Sequence, residues 1–412
     1  MSDKKSNVSN TLKAVLKSNT MLFVLVGVMI LFEVLIRITG HGSLFAPANV
    51  TNIIRQNAYV AILATGMLLC ILTGGNIDLS VGSVVALVGA LAGVFIVNWG
   101  WPIWLAVLAC LIIGTAIGAF HGFFIAYIHI PPFITTLAGM LLWRGVATIV
   151  LDGKPIAPFP DKYLKLFESY LPSASEKMGE FEFLGRWVDK YTLIVTLIIT
   201  AIAIVAYVML EIISRRNKIK KNYTVQSRGS FIAKLIVLSI VIFIIGQFLA
   251  RDRGLPVVLI LLGVIIAAYS YFTQHTVPGR YLYAIGGNEK AARLSGVNTN
   301  NVMFFAYTNM GFIAAVAALV TIARMNSAQP TAGQNYEMDA IASCFIGGAS
   351  AYGGTGTVGG AVVGAIFMGV LNNGMSILGV DMNWQRAVKG SVLLAAVIFD
   401  VMSKRKKASK KA

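Results

Sequence analysis

The chain has 412 residues, of which 57% are hydrophobic and only 12% charged, with a mean hydropathy of +0.76. Such a composition excludes an ordinary soluble domain. The formal net charge of +17 gathers in two tails and one loop, which is the pattern of cytoplasmic flanks of membrane helices and not of a nucleic-acid-binding face.

Residues 1–20 form a polar tail carrying Lys4, Lys5, Lys13 and Lys17. No small-residue cleavage site follows the apolar run 21–36, so it reads as an uncleaved first span. Within it Glu33 and Arg37 have the i, i+4 spacing of an ion pair, with snorkelling to the interface as the alternative. Further spans are predicted near 58–73, 79–97, 102–128 and 133–151, making 21–151 an N-terminal membrane half. From Leu79 to Trp143 there is no Asp, Glu, Lys or Arg, far more than one span of about 20 residues requires. Trp99, Trp101 and Trp104 around Pro102 suit a tight interfacial turn.

Between the second and third spans lies ILTGGNIDLSVGS, with Asn76, Asp78 and Ser80 among aliphatic residues. Unpaired backbone and a carboxylate are costly in lipid unless they face protein or a wet cavity. The stretch therefore reads as a helix break buried in protein. Gly74 and Gly75 end one helix, and Asn76 or Asp78 accepts N–H bonds at the start of the next. The alternative makes Asp78 a proton- or cation-coupling group; the general capping preference favours the first reading.

The segment 152–190 mixes Asp161, Glu168, Glu176, Glu180, Glu182 and Asp189 with Lys154, Lys162, Lys165 and Arg186, the charge balance of an extracytoplasmic loop. Spans are predicted at 191–213, 231–249 and 254–273, with the basic loop 214–230 on the cytoplasmic side. The polar segment 274–303 then holds Asn288 as an N-cap, Glu289 in a first turn, Arg293 in a last turn and Gly296 as a stop. This predicts a short helix from about Glu289 to Ser295. Its exposed face offers a docking surface for a cytoplasmic partner; an interfacial helix on the headgroups is the bland alternative.

The C-terminal half, 304–402, opens with a span at 303–323 and closes with one at 388–402, before the basic tail 403–412. Between them a Gly-rich region runs from 341 to 378. Counting 341–350 as a crossing puts both basic tails on the cytoplasmic side, but a stretch so short suits a half-helix or re-entrant segment equally. VGGAVVGA from Val358 echoes VGSVVALVGA from Val81, and paired interruptions in two halves are a feature of repeat-built transporters. Gly354, Gly356 and Gly359 spell GxGxxG without the strand and helix that a dinucleotide site needs. Close helix packing accounts for them better, as it does for Gly89 and Gly93, for Gly114, Gly118 and Gly122, and for Gly360 and Gly364. Asn372 and Asn373 suit either a sugar or a buried helix contact.

No GxxxxGK[ST] phosphate loop is present, His41, His121, His129 and His275 make no HExxH pair, and Cys70, Cys110 and Cys344 stand singly in apolar stretches. Enzymatic, metal and disulfide chemistry therefore lack support.

GGNIDLSVGS, GRYLYAIGGNEKAARLSGVN, IGGASAYGGTGTVGG, NNGMSILGV and WQRAVKGSVLLAAVIFD resemble, in order, the motifs of permease subunits of ribose-type ABC importers. The extra region between Asp152 and about Arg253, holding an inserted membrane segment at 191–273, looks most like the xylose and multiple-monosaccharide branch. The resemblance implies an all-α polytopic membrane protein of about 10–12 transmembrane helices, some broken or re-entrant. Its implied function is import of xylose, or of several sugars such as galactose, glucose and arabinose, across the bacterial cytoplasmic membrane, with both termini cytoplasmic. A nucleoside or signalling-sugar permease of the same family, or an ion-coupled carrier using Asp78, are the alternatives. Implied partners are an ABC ATPase subunit that uses ATP and Mg, an extracytoplasmic sugar-binding protein, a second permease copy and membrane lipid. Nucleic acid and a cofactor bound by this chain are not expected. By the same resemblance Gly279, Arg280, Gly286, Asn288, Glu289, Ala292 and Gly296 form the element coupled to the ATPase. Asn76, Asp78, Ser80, Gly82, Gly347, Gly348, Gly353, Gly354 and Gly356, with Asn372 and Asn373, line or gate the path.

Overall fold

The computed structural model describes residues 20–172, 180–183, 186–220 and 228–409; the lysines of the N-terminal tail, Glu176 and part of the basic loop lie outside them. Nine helices among the described residues are long and apolar enough to cross a membrane: Pro47–Leu72, Val81–Asn98, Ile103–Ala126, Pro132–Val150, Lys190–Asn217, Arg228–Ala250, Val257–His275, Thr299–Met325 and Val358–Ile377. Thr20–Ile38 and Met382–Ser409 are further long helices. The chain is a multi-pass membrane protein, almost wholly α-helical.

Several boundaries differ from the sequence expectation, as where the helices Lys190–Lys220 and Arg228–Ala250 run into the loop expected at 214–230, and two of them differ for one reason. The span expected from residue 58 begins at Pro47, because Asn49, Thr51, Asn52, Arg55 and Gln56 hide a helical turn from any hydropathy pattern. The helix bends at Asn57, whose Nδ2 donates to Ile53 O at 3.1 Å. Likewise the Gly-rich region starts as a helix at Tyr336, under the polar sequence Tyr-Glu-Met-Asp, and stops at Ile346. Its 11 residues span about 16 Å at 1.5 Å each, half a hydrocarbon core. It is therefore a half-helix, followed by a loop and then by Val358–Ile377.

The centre of the bundle is built on absent side chains. Ile103–Ala126 lies against Thr299–Met325 so closely that a Cβ on Gly118 would strike Tyr307 O, and one on Gly114 would strike Ala315 Cβ and Gly311 O. Without a hydrophobic driving force between helices in lipid, such close backbone approach is how dispersion holds them. By contrast Lys190–Lys220 and Arg228–Ala250 pair mainly with each other, Gly246 against Thr200 and Lys234 to Glu211 at 2.6 Å. Their aliphatic outer faces, including Ile198, Ile202, Val205 and Ile236, are exposed. They form a peripheral pair on the core.

At one end of the bundle the loop region after Val150 is more ordered than its charge balance suggests. Asp161–Glu168 is a helix with Tyr163 fully buried, its hydroxyl donating to Leu319 O at 2.7 Å. Phe159 N donates to Asn326 Oδ1 at 2.8 Å, and Ile156 bridges to Ala328. Arg55 forms an ion pair with Glu168, while Tyr170–Leu171 pairs with Leu255–Pro256. A small hairpin joins Glu180–Phe183 to Arg186–Asp189. Within the first helix, Glu33 takes Arg37 at 2.5 Å and also accepts Leu44 N at 2.8 Å and Ser43 Oγ at 2.9 Å. That carboxylate folds the following turn back onto the helix.

Because Tyr163 is buried with its hydroxyl paired, Tyr163→Ala is expected to cost about 3–5 kcal/mol and Tyr163→Phe about 1 kcal/mol. Thermal unfolding of the detergent-purified protein reads both. Two equally small shifts would mean that the Asp161–Glu168 helix is not seated as described.

Candidate translocation and coupling site

The first broken segment follows Leu72. Thr73 N and Oγ1 both donate to Cys70 O, at 3.1 and 2.7 Å, and Gly75 N donates to Ile71 O at 2.7 Å. Gly74 and Gly75 then take φ of 131° and 77°, which glycine alone adopts at no steric cost. The helix ends where the sequence predicts. Asn76, however, turns backwards: its Nδ2 donates to Thr73 Oγ1 at 3.2 Å, so it secures the old helix and does not cap the new one. Asp78 does the forward work. Its Oδ1 accepts from Ser80 N at 2.8 Å and from Ser80 Oγ at 2.6 Å, an Asx-type turn. Ser80 O in turn accepts from Ser83 N and Oγ, at 2.9 and 2.6 Å.

Two residues that the sequence reading left aside complete this turn. Ser80 Oγ lies 3.3 Å from His121 Nδ1, and Trp143 Nε1 donates to His121 Nε2 at 2.9 Å. A neutral imidazole that accepts at Nε2 carries its proton on Nδ1, where it donates to Ser80 Oγ; the serine hydroxyl then donates to Asp78. Every donor has an acceptor along the line Trp143, His121, Ser80, Asp78. Asp78, Ser80 and His121 are all buried. Gly139 makes room for the ring, since a Cβ there would strike His121 Nε2. The only advance signal was a histidine in an otherwise apolar helix, and nothing in its spacing pointed to Ser80.

The second broken segment runs from Gly347 to Thr357. Gly347 N and Ala349 N close the half-helix on Ser343 O and Cys344 O, each at 2.9 Å. Gly348, Gly353, Gly354 and Gly356 all have positive φ. Thr357 Oγ1 then caps the next helix by accepting Gly360 N at 3.0 Å.

The two breaks meet. Gly354 N donates across to Leu72 O at 3.1 Å, a Cβ on Gly75 would strike Ala351 O, and one on Gly353 would strike Gly74. A third segment, the helix Val277–Gly287, enters the same point: a Cβ on Gly286 would strike Leu72 O and Gly354 N, and Tyr283 OH donates to Gly356 O at 3.0 Å. Ala351 N donates to Asp400 Oδ2 at 3.2 Å, tying in the last helix. Gly75, Gly286, Gly353, Gly354 and Gly356 thus share one backbone junction. Gly82 lies elsewhere, where a Cβ would strike Gly333 O and Glu337.

Beyond the junction, the short helix is found at Glu289–Leu294, as the caps predict. Asn288 Oδ1 accepts Ala291 N at 3.0 Å, Glu289 pairs with Arg293 at 2.9 Å, Arg293 also donates to Thr299 Oγ1 at 3.0 Å, and Gly296 has φ 86°. Leu294 is 90% exposed, while Ala292 packs inward with Ile285 and Val297. Ala292 therefore seats the helix, and Leu294 is the apolar knob it presents. At the preceding turn Gly279 N donates to Thr276 Oγ1 at 3.1 Å, Gly279 lies against Phe272 O, and Arg280 is exposed.

Asn372 and Asn373 stand apart from the junction. Asn372 Nδ2 donates to Asn57 Oδ1 at 3.1 Å, bracing the kink of Pro47–Leu72, and Asn373 is buried. Among the described residues no group of three His, Cys, Asp or Glu has the arrangement to hold a metal ion.

Trp143→Phe removes the donor to His121 and leaves Nε2 buried and unmatched, at an expected cost of about 1–3 kcal/mol. Thermal unfolding checks this against Trp104→Phe, a control that is expected to shift little because Trp104 is exposed.

The chain matches the family model described as branched-chain amino acid transport system / permease component over residues 49–176 and 183–397. It is 34% identical over 388 residues to the xylose transport system permease protein XylH of Escherichia coli strain K12, covering 94% of this chain and 93% of that protein. The XylH of Haemophilus influenzae is 33% identical over 94% of this chain and 96% of its own length. The ribose import permease protein RbsC of Escherichia coli strain K12 is 34% identical over 87% of each. No solved structure matches. With the broken helices, their shared junction and end-to-end relatives of this kind, the chain belongs to the branched-chain amino acid transport system / permease component family, in the group of xylose- and ribose-type ABC permeases.

Proposed function

We propose that this chain is the membrane-spanning subunit of an ATP-driven importer that moves a monosaccharide, xylose or a small set of related sugars, across the bacterial inner membrane. The observation that carries this reading is the likeness to xylose permeases over 94% of the chain, inserted helix pair included. ATP and Mg are used by a separate ATPase subunit, sugar arrives on an extracytoplasmic binding protein, and a second permease copy completes the path.

In this reading the nine spans among the described residues, with Thr20–Ile38, the half-helix and its loop, and Met382–Ser409 each counted as a pass, give an even number of passes and put both termini on one side. The basic tails favour the cytoplasm for that side. The junction and the Glu289–Leu294 helix then face the cytoplasm, and 152–190 faces outward.

In this reading the ATPase grips Leu294 and the charged face around Glu289. Ala292, Ile285 and Val297 transmit the push to the Val277–Gly287 helix, and Gly286 passes it to Leu72 and Gly354. With no side chains between these backbones to absorb displacement, both broken segments move as one. Packed contacts of this kind switch between discrete arrangements and do not deform smoothly. Alternating access follows, with Asn76, Asp78, Ser80 and the 347–357 loop at the inner gate.

Two variants of the reconstituted complex test this. Glu289→Lys combined with Leu294→Asp is expected to abolish ATP-driven uptake while thermal stability stays close to wild type, because an exposed ion pair contributes only about 0.3–0.5 kcal/mol. Unchanged uptake would falsify the coupling assignment. Asp78→Asn keeps the Oδ1 acceptor for Ser80 and is expected to retain ATP-driven uptake; loss of uptake together with loss of an ion-gradient dependence would favour a secondary carrier instead.

A further inference from the structure

Halfway along the Pro47–Leu72 span, a basin of about 460 Å³ is lined by Tyr59, Tyr336, Asp339, Gln385, Arg386 and Lys389, among others. Tyr59 lies about 20 Å along its helix from Leu72 at 1.5 Å per residue. Three separate elements meet here: the upper turn of Ala58–Leu72, the start of the half-helix Tyr336–Ile346, and the first turns of Met382–Ser409. Their side chains have no part in the junction or in the Asp78 turn.

The rings of Tyr59 and Tyr336 stack at 3.6 Å and 15°, presenting an aromatic wall. Tyr59 OH donates to Asp339 Oδ2 at 2.6 Å, and Lys389 Nζ lies 3.1 Å from Asp339 Oδ1. Asp339 is 1% exposed, so the floor is a desolvated carboxylate held by a phenol and an ammonium. Gln385 Nε2 donates to Val380 O at 2.9 Å, which fixes that amide, and Arg386 is exposed beside it. The remaining wall, the 331–335 loop, is pinned from behind by Arg144, which donates to Pro330 O at 3.1 Å and to Ala332 O. The groups are thus held on rigid elements before any ligand arrives.

A buried ion pair does little for stability alone, since well-packed apolar residues often do as well. An aromatic face beside a fixed carboxylate, a fixed amide and two cationic side chains has a definite chemical complement. It is a neutral molecule with an apolar C–H face and a ring of hydroxyls that both donate and accept. The Asp339–Lys389 pair neutralises itself, Thr331, Gln334 and Asn335 add uncharged polar groups to the lining beside Arg386, and the basin volume falls in the ordinary range of small-molecule sites. We propose that this basin is an entry subsite for a neutral monosaccharide, which lies against the Tyr59–Tyr336 wall and hydrogen-bonds through its hydroxyls to Gln385, Arg386 and the Asp339–Lys389 pair. The proposal rests on the importer reading, in which the basin lies on the outward side of the junction and receives sugar released by the binding protein.

The native thiols Cys70, Cys110 and Cys344 are all buried, so Met382→Cys, at an exposed lining position that is not one of the proposed binding groups, provides one accessible thiol on this chain in the full complex in lipid nanodiscs. Its rate of reaction with a membrane-impermeant methanethiosulfonate is measured with D-xylose, D-ribose or D-galactose, and with L-proline as a control. A sugar that the wild-type complex imports is expected to slow labelling about tenfold when present at ten times its dissociation constant, by mass action. L-proline is expected to have no effect. Adding Arg386→Ala or, separately, Tyr336→Ala is expected to abolish protection; the exposed Arg386 makes its variant informative even where Tyr336→Ala unfolds. Equal labelling with and without an imported sugar, protection by L-proline, or protection that survives Arg386→Ala overturns the subsite while leaving the importer intact. A wild-type complex that imports no sugar overturns the reading beneath it.

Discussion

A backbone N–H or C=O left unpaired inside a bilayer costs several kcal/mol, and this chain interrupts its helices twice within the membrane-spanning region. The solution is mutual. Gly354 N donates to Leu72 O at 3.1 Å, so a donor freed by the second break is paired with an acceptor freed by the end of the helix before the first. Neither interruption satisfies all of its backbone within itself, and each supplies what the other lacks. This explains why both are so rich in glycine: a Cβ on Gly75, Gly353 or Gly286 would stand where another segment's backbone lies.

The same constraint links the junction to the short capped helix. Because Gly286 is wedged against both Leu72 and Gly354, the Val277–Gly287 helix cannot shift without displacing one break or both. The Glu289–Leu294 helix is too short to be stable alone, since isolated helices need about 12–15 residues. Its caps at Asn288 and Gly296 and its inward Ala292 let six residues behave as a rigid handle.

Much of this was legible in the sequence wherever local chemistry decided the outcome. The end of a helix at Gly74 and Gly75, the Asn288 cap, the small-residue seams around Gly118 and the class of fold all follow from short-range rules. The echo between the sequences after Val81 and Val358 also had structural content, since both open the helix that follows a break. What the sequence concealed was long-range pairing. Asn76 and Asp78 were interchangeable as caps until Thr73 and Ser80 were seen to claim one each. His121 and Trp143 reach the Asp78 turn from two other helices. Charge balance marked 152–190 as a loop but could not reveal that Tyr163 would be buried against Leu319. Polar first turns at Pro47 and Tyr336 hid helix starts, because hydropathy reads the solvent and these turns are shielded by protein.

The junction and the basin use different chemistry, and two helices connect them. At the junction, contacts are made by backbone on backbone, which recognises no ligand but transmits displacement faithfully. At the basin, side chains of mixed character converge on Asp339, an arrangement suited to selection and poor at transmission. Ala58–Leu72 carries Tyr59 at one end and Leu72 at the other, and the half-helix likewise carries Asp339 at its start and leads into the 347–357 loop. A rigid shift of these two helices therefore changes the basin and the junction together. In the proposed importer, alternating access needs this property, that opening on one side and closing on the other be a single motion, and two helices this short would act as its levers.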